Sequence, residues 1–150
     1  MRIVKFGLLV GSIYLLTGCS SKYPITYNSN PTGAAVVCRG INKGYTPTTL
    51  YYEPSSEQKE YGTMRTVPCT AQWISGVSKD YSSEWDLKQF PNGVMQTLQR
   101  PSGDGYEKDA QFSLQVQQMQ LQQRQAAAAE DAAAAASYNN LLNQQRNYQL

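Results

Sequence analysis

The stretch "SNPTGAAVVCRGINKGYTP", residues 29–47, places a short apolar run between two turn-forming segments. Pro31 presets a backbone φ suited to turns and Gly33 tolerates positive φ, so the start of the stretch is typical of a turn. Residues 34–38 are small, apolar or β-branched, which predicts a strand. Residues 40–44 begin and end with glycine and are predicted to form a second turn. The pattern indicates β-structure built from short strands and tight turns.

Strand patterns continue on both sides of this stretch. Ile25 and Tyr27 alternate with polar residues, as in a strand with one buried face, and residues 48–52 are rich in β-formers. Three later segments also favour strands: 66–77, 94–98 and 112–116. We therefore expect a mainly β fold, a small antiparallel β-sandwich of about six strands across residues 23–117.

The residues that punctuate the first strands share the spacing of a known family. In that pattern a strand is followed by S-x-P-x-G-A, then by a second strand ending in glycine, then by three residues and G-x-T-P. The matching positions here are Ser29, Pro31, Gly33, Ala34, Gly40, Gly44, Thr46 and Pro47. This part resembles the PEGA domain, and the resemblance implies a small β-sandwich on a surface or envelope protein without shared catalytic residues. The match ends before residues 53–69, which are polar and predicted to form a loop.

The N-terminus has the layout of an export signal. Arg2 and Lys5 precede an apolar segment of about 11 residues, which is too short to span a bilayer as a helix. The segment ends in "LTGC", residues 16–19, which resembles the lipobox of bacterial lipoproteins. That resemblance implies a signal peptide at residues 1–18 and a diacylglycerol, with acyl chains such as palmitate, on Cys19. The alternative is an ordinary signal anchor with a chance cysteine.

A lipid on Cys19 would attach the protein to a membrane. Each buried methylene contributes about 0.8 kcal/mol, so the two or three chains of such lipids hold effectively permanently. Ser20 follows the cysteine where an aspartate would resemble an inner-membrane retention signal. We therefore expect an outer-membrane location, on the periplasmic face, with residues 19–22 as a lipidated tether ahead of the β-domain.

Two cysteines remain after Cys19. Cys38 and Cys69 would be exported into an oxidising compartment, where such thiols pair. A disulfide joining strands across the core is therefore predicted. The alternatives are two separate buried thiols or a redox pair, although the C-x-x-C spacing of a redox site is absent.

The composition changes sharply after Gln117. Residues 118–150 are rich in glutamine and alanine, contain neither glycine nor proline, and favour a helix. Apolar positions are sparse and a full heptad seam is missing, so a self-paired coiled coil is not expected. The segment is predicted to be a solvated helix or a disordered low-complexity tail, or else an arm that docks on another envelope protein.

The composition excludes several kinds of chemistry. The chain has no histidine, which rules out Ser-His-Asp and Cys-His catalysis and histidine metal sites. Removing Arg2 and Lys5 from 13 basic residues leaves 11, equal to the 11 acidic residues, so no nucleic-acid footprint is expected. Neither a cofactor nor a metal is expected. Carboxylates in polar surroundings are the remaining acid–base candidates: Glu53, Glu57, Glu60, Asp80, Glu84 and Asp86. Asp104, Glu107 and Asp109 lie close together but lack an EF-hand ladder.

These observations predict a non-enzymatic interaction or structural module in the cell envelope. One alternative is a module that binds cell-wall glycan, since exposed tyrosines can bind sugars; the candidates are Tyr45, Tyr51, Tyr52 and Tyr61. Tyrosines also suit half-buried strands, which is the simpler interpretation. The other alternative is an accessory lipoprotein of a secretion or surface-appendage machine, contacting its partner through residues 118–150.

Overall fold

The structure is a computed structural model that describes residues 22–147. Within that range nine strands and two helices follow one another: β1 (Tyr23–Asn30), β2 (Ala35–Cys38), β3 (Ile41–Tyr45), β4 (Thr48–Tyr52), α1 (Ser56–Tyr61), β5 (Thr63–Arg65), β6 (Cys69–Gln72), β7 (Ser78–Asp80), β8 (Glu84–Asp86), β9 (Val94–Gln99) and α2 (Tyr106–Asn147). The predicted signal peptide and Cys19 lie outside the described residues.

The strands form three sheets. The first has the order β4-β1-β9, the second β3-β2-β6-β7, and the third pairs β5 with β8. The β1–β4 pair and the pairs of the second and third sheets are antiparallel, whereas β1 and β9 run parallel. The prediction of an antiparallel arrangement is therefore only partly confirmed. The parallel pair needs a long crossover, which strands β2 to β8 supply.

The core lies against one face of β1. Along that strand alternate residues Tyr23, Ile25, Tyr27 and Ser29 are buried, which confirms the alternation read from the sequence. The ring of Tyr27 meets the edge of Tyr81 with centroids 4.9 Å apart and also lies edge-on to Trp85. Such large aromatic side chains supply much of the buried area in a small domain.

The predicted turn at residues 40–44 is wrong in extent. The chain reverses at Arg39 and Gly40, both of which have positive φ, and Ile41 already belongs to β3. The sequence does not indicate this strand, because β3 lies at a sheet edge and its first three residues are exposed. It therefore lacks the apolar alternation that marks a half-buried strand.

The predicted loop at residues 53–69 is also wrong, because it contains α1 and β5. Ser55 caps the helix: its hydroxyl accepts a hydrogen bond from the backbone N–H of Gln58, whose side chain bonds back to the Ser55 N–H. Gly62 ends the helix with φ 80°. This is a capping box and a left-handed C-cap, both readable from the sequence.

The predicted strand at residues 112–116 is wrong as well, because these residues lie in α2, which is 42 residues long. Phe112 and Val116 are four residues apart and therefore share one helical face, while Leu114 between them is 67 % exposed. Helices consequently hold more residues than strands, and the mainly β prediction is confirmed only for the region before α2.

Cys38 and Cys69 form a disulfide, as predicted. The two residues are direct partners on the neighbouring strands β2 and β6. The bond therefore joins adjacent strands of one sheet. The prediction that it crosses the core is wrong in this respect. It closes a loop with a sequence separation of 31 residues that contains β3, β4, α1 and β5.

Candidate functional site

Five of the eight residues of the PEGA-like pattern meet around one buried hydroxyl, that of Thr46. Oγ1 of Thr46 accepts hydrogen bonds from the backbone N–H groups of Gly33 (2.9 Å) and Ala34 (3.1 Å). It lies 2.6 Å from Oγ of Ser29, whose proton is donated to the carbonyl of Pro31. Because Ser29 has one proton, Thr46 is the donor between the two hydroxyls. The motif residues thus hold the end of β1 against the start of β2.

This turn forms a seat for the long helix. Gly33 has φ 94°, and a Cβ placed on it would come within 3.1 Å of the Cα of Ser113. The hydroxyl of Thr32 lies 2.7 Å from that of Ser113, and Val116 is buried beside the same turn. A side chain at position 33 would therefore push the helix away.

A buried ion pair fixes the first turn of α2. Arg100, which follows β9, pairs with Asp109, and their side chains are 4 % and 0 % exposed. The backbone N–H of Ser75 donates to Asp109 at 2.8 Å and its hydroxyl donates at 2.7 Å. Burial raises the pKa of Asp109, but the hydrogen bonds from Ser75 and Arg100 outweigh it and hold that pKa below 3.8.

Further contacts continue along the same helical face. The ring of Phe112 packs edge-on against Tyr45 at 5.4 Å, and the Gln120 amide donates to the Tyr45 carbonyl at 3.2 Å. Asp109, Phe112, Ser113, Val116 and Gln120 follow the 3.6-residue period of one face. The base of α2 is therefore packed structure, and the predicted boundary at residue 117 falls inside a single helix.

Beyond Gln120 the helix projects from the β-domain, and Gln123, Arg124 and Ala127 still line a groove beside β3 and β4. Every side chain from residue 121 to residue 146 is exposed, over a length of roughly 39 Å at about 1.5 Å per residue. The prediction of a helix in residues 118–150 is confirmed as far as residue 147. No helix in the described part of the chain is long and apolar enough to cross a membrane.

One line of this helix is apolar from Leu114 to Leu142. Leu114, Leu121, Ala128, Ala135 and Leu142 recur every seven residues, and all five are exposed. Seven residues fall about 20° short of two full turns, so successive positions lie nearly above one another and the line drifts slowly around the helix. We call them the apolar line. The positions three and four residues away carry mostly polar side chains, so the sequence shows no complete heptad seam.

The four candidate tyrosines do not form one surface. Tyr45 packs on the helix base, and the hydroxyl of Tyr52 bonds that of Tyr27 at 2.9 Å. Tyr51 and Tyr61 are exposed, at 65 % and 71 %, on β4 and α1. Two of the four thus have structural roles, as the half-buried-strand interpretation predicts.

The candidate carboxylates are spread over the surface. Glu84 pairs with Arg65 and Asp80 accepts a hydrogen bond from Thr70, while Asp86 accepts from the backbone of the turn after β8. Among residues 22–147, no three histidine, cysteine or acidic side chains are placed to hold a metal ion. Asp109, one of the three carboxylates near the start of α2, serves the ion pair with Arg100.

No family model, curated protein or solved structure matches this chain. A function for this protein must therefore be inferred from its own structure. Its distinctive feature is the long exposed helix, fixed at one end to a disulfide-bonded β-domain by the ion pair and the turn at Gly33.

Proposed function

We propose that this chain is a lipoprotein, anchored in the outer membrane through Cys19, whose exposed helix docks on another protein of the cell envelope. The observation that carries the proposal is the packed base of α2 below a fully exposed segment, residues 121–146. Helices in water are held mainly by tertiary packing, so a long exposed helix with an apolar line is suited to a partner surface. The β-domain serves as its mount.

The partner surface that fits best is an α-helix with its own apolar face. Ala128 and Ala135 are small, so a second helix can approach this stretch of the apolar line closely. Leu121 and Leu142 flank the alanines and offer larger side chains to fill the partner's grooves. A groove that receives a helix by anchors of this kind is a recurring mode of recognition.

The β-domain is proposed to be a PEGA-like β-sandwich without catalytic function. The network around Thr46 supports this, because it gives Ser29, Gly33 and Ala34 a common structural purpose. Buried aromatic residues and the disulfide further suit a rigid mount for export to an oxidising compartment.

Photo-crosslinking in living cells tests the docking proposal. A photoreactive residue at Ala128 or Ala135 is expected to give a discrete adduct with one envelope protein. The same residue at Ala126 or Ala133 is the control, because two residues rotate the helix by about 200° and point the probe away from the apolar line. Replacing Leu121 and Leu142 by glutamate should abolish the adduct.

Three results would contradict docking on another protein. Equal crosslinking from all four positions would mean that the helix has no preferred face. An adduct of twice the chain's own mass would mean self-association. Attachment to cell-wall glycan alone would favour the glycan-binding alternative.

A charge control accompanies the glutamate replacements of Leu121 and Leu142. Glutamate at Gln123 and Gln144, on the side of the helix opposite the leucines, adds the same charge and should leave the adduct unchanged.

A further inference from the structure

The proposed anchor lies very near the folded domain. Cys19 is three residues before Lys22, and each residue extends a chain by at most about 3.6 Å, so their Cα atoms are within roughly 11 Å of each other. β1 begins at the next residue, Tyr23. If Cys19 is in the membrane surface, this end of the first sheet must be beside it. The inference below therefore rests on the proposed lipidation.

A groove with mixed apolar and basic walls opens at that end. Its apolar lining comes from Tyr23, Pro24, Pro54, Leu87 and Pro91, and its polar lining from Lys22, Lys59 and Asn92. The prolines and the tyrosine ring are rigid side chains that do not lose much freedom on contact. Two ammonium groups beside apolar walls match the layer of a membrane where phosphates meet acyl chains.

The groove is held in shape by the loop after β8. The Tyr23 hydroxyl donates to the carbonyl of Phe90 at 2.7 Å. Gly93 lies so close to Pro24 that an added Cβ would be 2.6 Å from the Pro24 carbonyl oxygen. Phe90 is itself 40 % exposed at this end of the molecule, which adds an aromatic side chain suited to the interface.

The acidic groups nearby do not neutralise both lysines. Glu53 lies 3.9 Å from Lys22, but the two side chains are 62 % and 60 % exposed. Exposed pairs of this kind contribute little, so Lys22 remains free to turn toward a phosphate. Lys59 lies in the last turn of α1 and forms no ion pair within the part of the chain that the structure describes.

We propose that the groove around Lys22 and Lys59 rests on the phosphate headgroups of the membrane that holds the lipid of Cys19. The helix seat lies at the other end of the same sheet, since Thr32 and Gly33 follow the last residue of β1. The eight residues of β1 span roughly 26 Å at about 3.3 Å each. The membrane and the base of α2 thus meet opposite ends of the β-domain.

Paramagnetic broadening of amide signals tests this orientation. The lipidated full-length mature protein is placed in nanodiscs containing phosphatidylglycerol and a lipid with a gadolinium-chelating headgroup. Strong broadening is expected at Lys59, Leu87 and Asn92, and little at Gly33. Replacing Lys22 and Lys59 by glutamine should reduce the broadening at Leu87 and Asn92. Each replacement should lower the equilibrium constant for contact between the groove and the membrane by a factor of about five.

A matched pair of lysines controls for net charge. Lys43 and Lys79 are exposed on β3 and β7, so their replacement by glutamine removes the same charge and should leave the broadening unchanged. Equal broadening around the whole β-domain, or no effect of the Lys22 and Lys59 replacements, would overturn the proposed contact. If the protein isolated from cells carries no lipid on Cys19, the lipoprotein proposal fails first, and the proposed contact loses its basis.

Discussion

The hydroxyl of Thr46 organises the junction between the β-domain and its helix. It is fully buried, accepts from two backbone N–H groups and donates to Ser29. Buried polar groups are stabilising only when they are all paired, so this network is sensitive to loss of one member. The neighbouring turn then receives Ser113 from α2.

Thr46→Val keeps the shape of the side chain but removes the hydroxyl. We expect the free energy of unfolding to fall by about 1–3 kcal/mol, because Ala34 and Ser29 lose buried hydrogen-bond partners. Chemical denaturation measures the loss. Thr46→Ser retains the hydroxyl and should lie much closer to the wild type. A neutral Thr46→Val variant would show that the hydrogen bonds of this hydroxyl make no net contribution to stability.

The Cys38–Cys69 bond stabilises the domain by lowering the conformational entropy of the unfolded chain. Replacing both cysteines by serine should lower the free energy of unfolding by about 3–4 kcal/mol on the chain-entropy model for a loop of 31 residues. Either single replacement should cost a similar amount, since each opens the same loop. Two freely alkylated thiols in the native protein would contradict the bond.

Helix α2 consists of two parts with different physics. From Asp109 to Gln120 one face is packed against turns of the β-domain, and burial holds it in place. From residue 121 onward, helix formation depends on alanine and glutamine propensity. The exposed part therefore lacks the tertiary packing that holds the base of the helix.

The ion pair of Asp109 makes the helix base sensitive to acid. A carboxyl whose pKa is lowered by folding contributes stability above its unfolded pKa of 3.8, and the contribution is lost as pH falls through the lowered value. Asp109→Asn should cost about 3–5 kcal/mol at neutral pH, because Arg100 is left buried without its partner. Denaturation curves should show this difference shrinking below pH 3.8. A constant difference would exclude the ion pair as its source.

Two truncations separate the packed part of α2 from the exposed part. Ending the chain after Arg124 should leave the melting temperature of the β-domain nearly unchanged, because the removed residues are exposed. Ending it after Gly105 removes Asp109 and Val116 and should lower the melting temperature by many degrees. Thermal unfolding followed by near-UV circular dichroism distinguishes the two. Equal melting temperatures would mean that the helix base does not support the domain.

The groove of the proposed membrane contact and the base of α2 lie at opposite ends of the first sheet. The chain enters at Tyr23 beside the groove of the proposed membrane contact, and α2 is seated beyond Asn30 and Arg100. Residues 19–150 carry 11 basic and 11 acidic residues, so electrostatic attraction would come from local groups such as Lys22 and Lys59 and not from net charge. In this proposal the lipid on Cys19 attaches the protein to the membrane, and the apolar line of α2 binds the partner.

The anchor proposal is tested on the intact protein in cells. Cys19→Ala should leave an unprocessed or soluble form, because neither cleavage before the cysteine nor acylation can follow. Membrane fractionation and the mass of the intact protein measure this outcome. Ser20→Ala is a control that keeps the cysteine and should fractionate like the wild type. A Cys19→Ala protein that still fractionates as mature outer-membrane protein would refute the lipid anchor.

The local features of this chain were set by short-range chemistry and are therefore visible in the sequence. The turn at Pro31 and Gly33 and the alternation along β1 are of this kind. The pairing of Cys38 with Cys69 is long-range, and it was predictable because these two cysteines remain after Cys19. The helix after Gln117 is also local, because alanine and glutamine favour it without a partner. The capping box of α1, Ser55 with Gln58, is equally local, although residues 53–69 were predicted to form a loop.

Long-range packing decided the remainder. Residues 112–116 carry a pattern that suits a strand, but the buried Asp109 and the half-buried Gln120 complete a helical face that a short window cannot show. The parallel pairing of β1 with β9 and the burial of Arg100 with Asp109 join segments that have no sequence signal for one another. Such contacts depend on which surfaces exclude water together, and that is settled when the whole chain is folded.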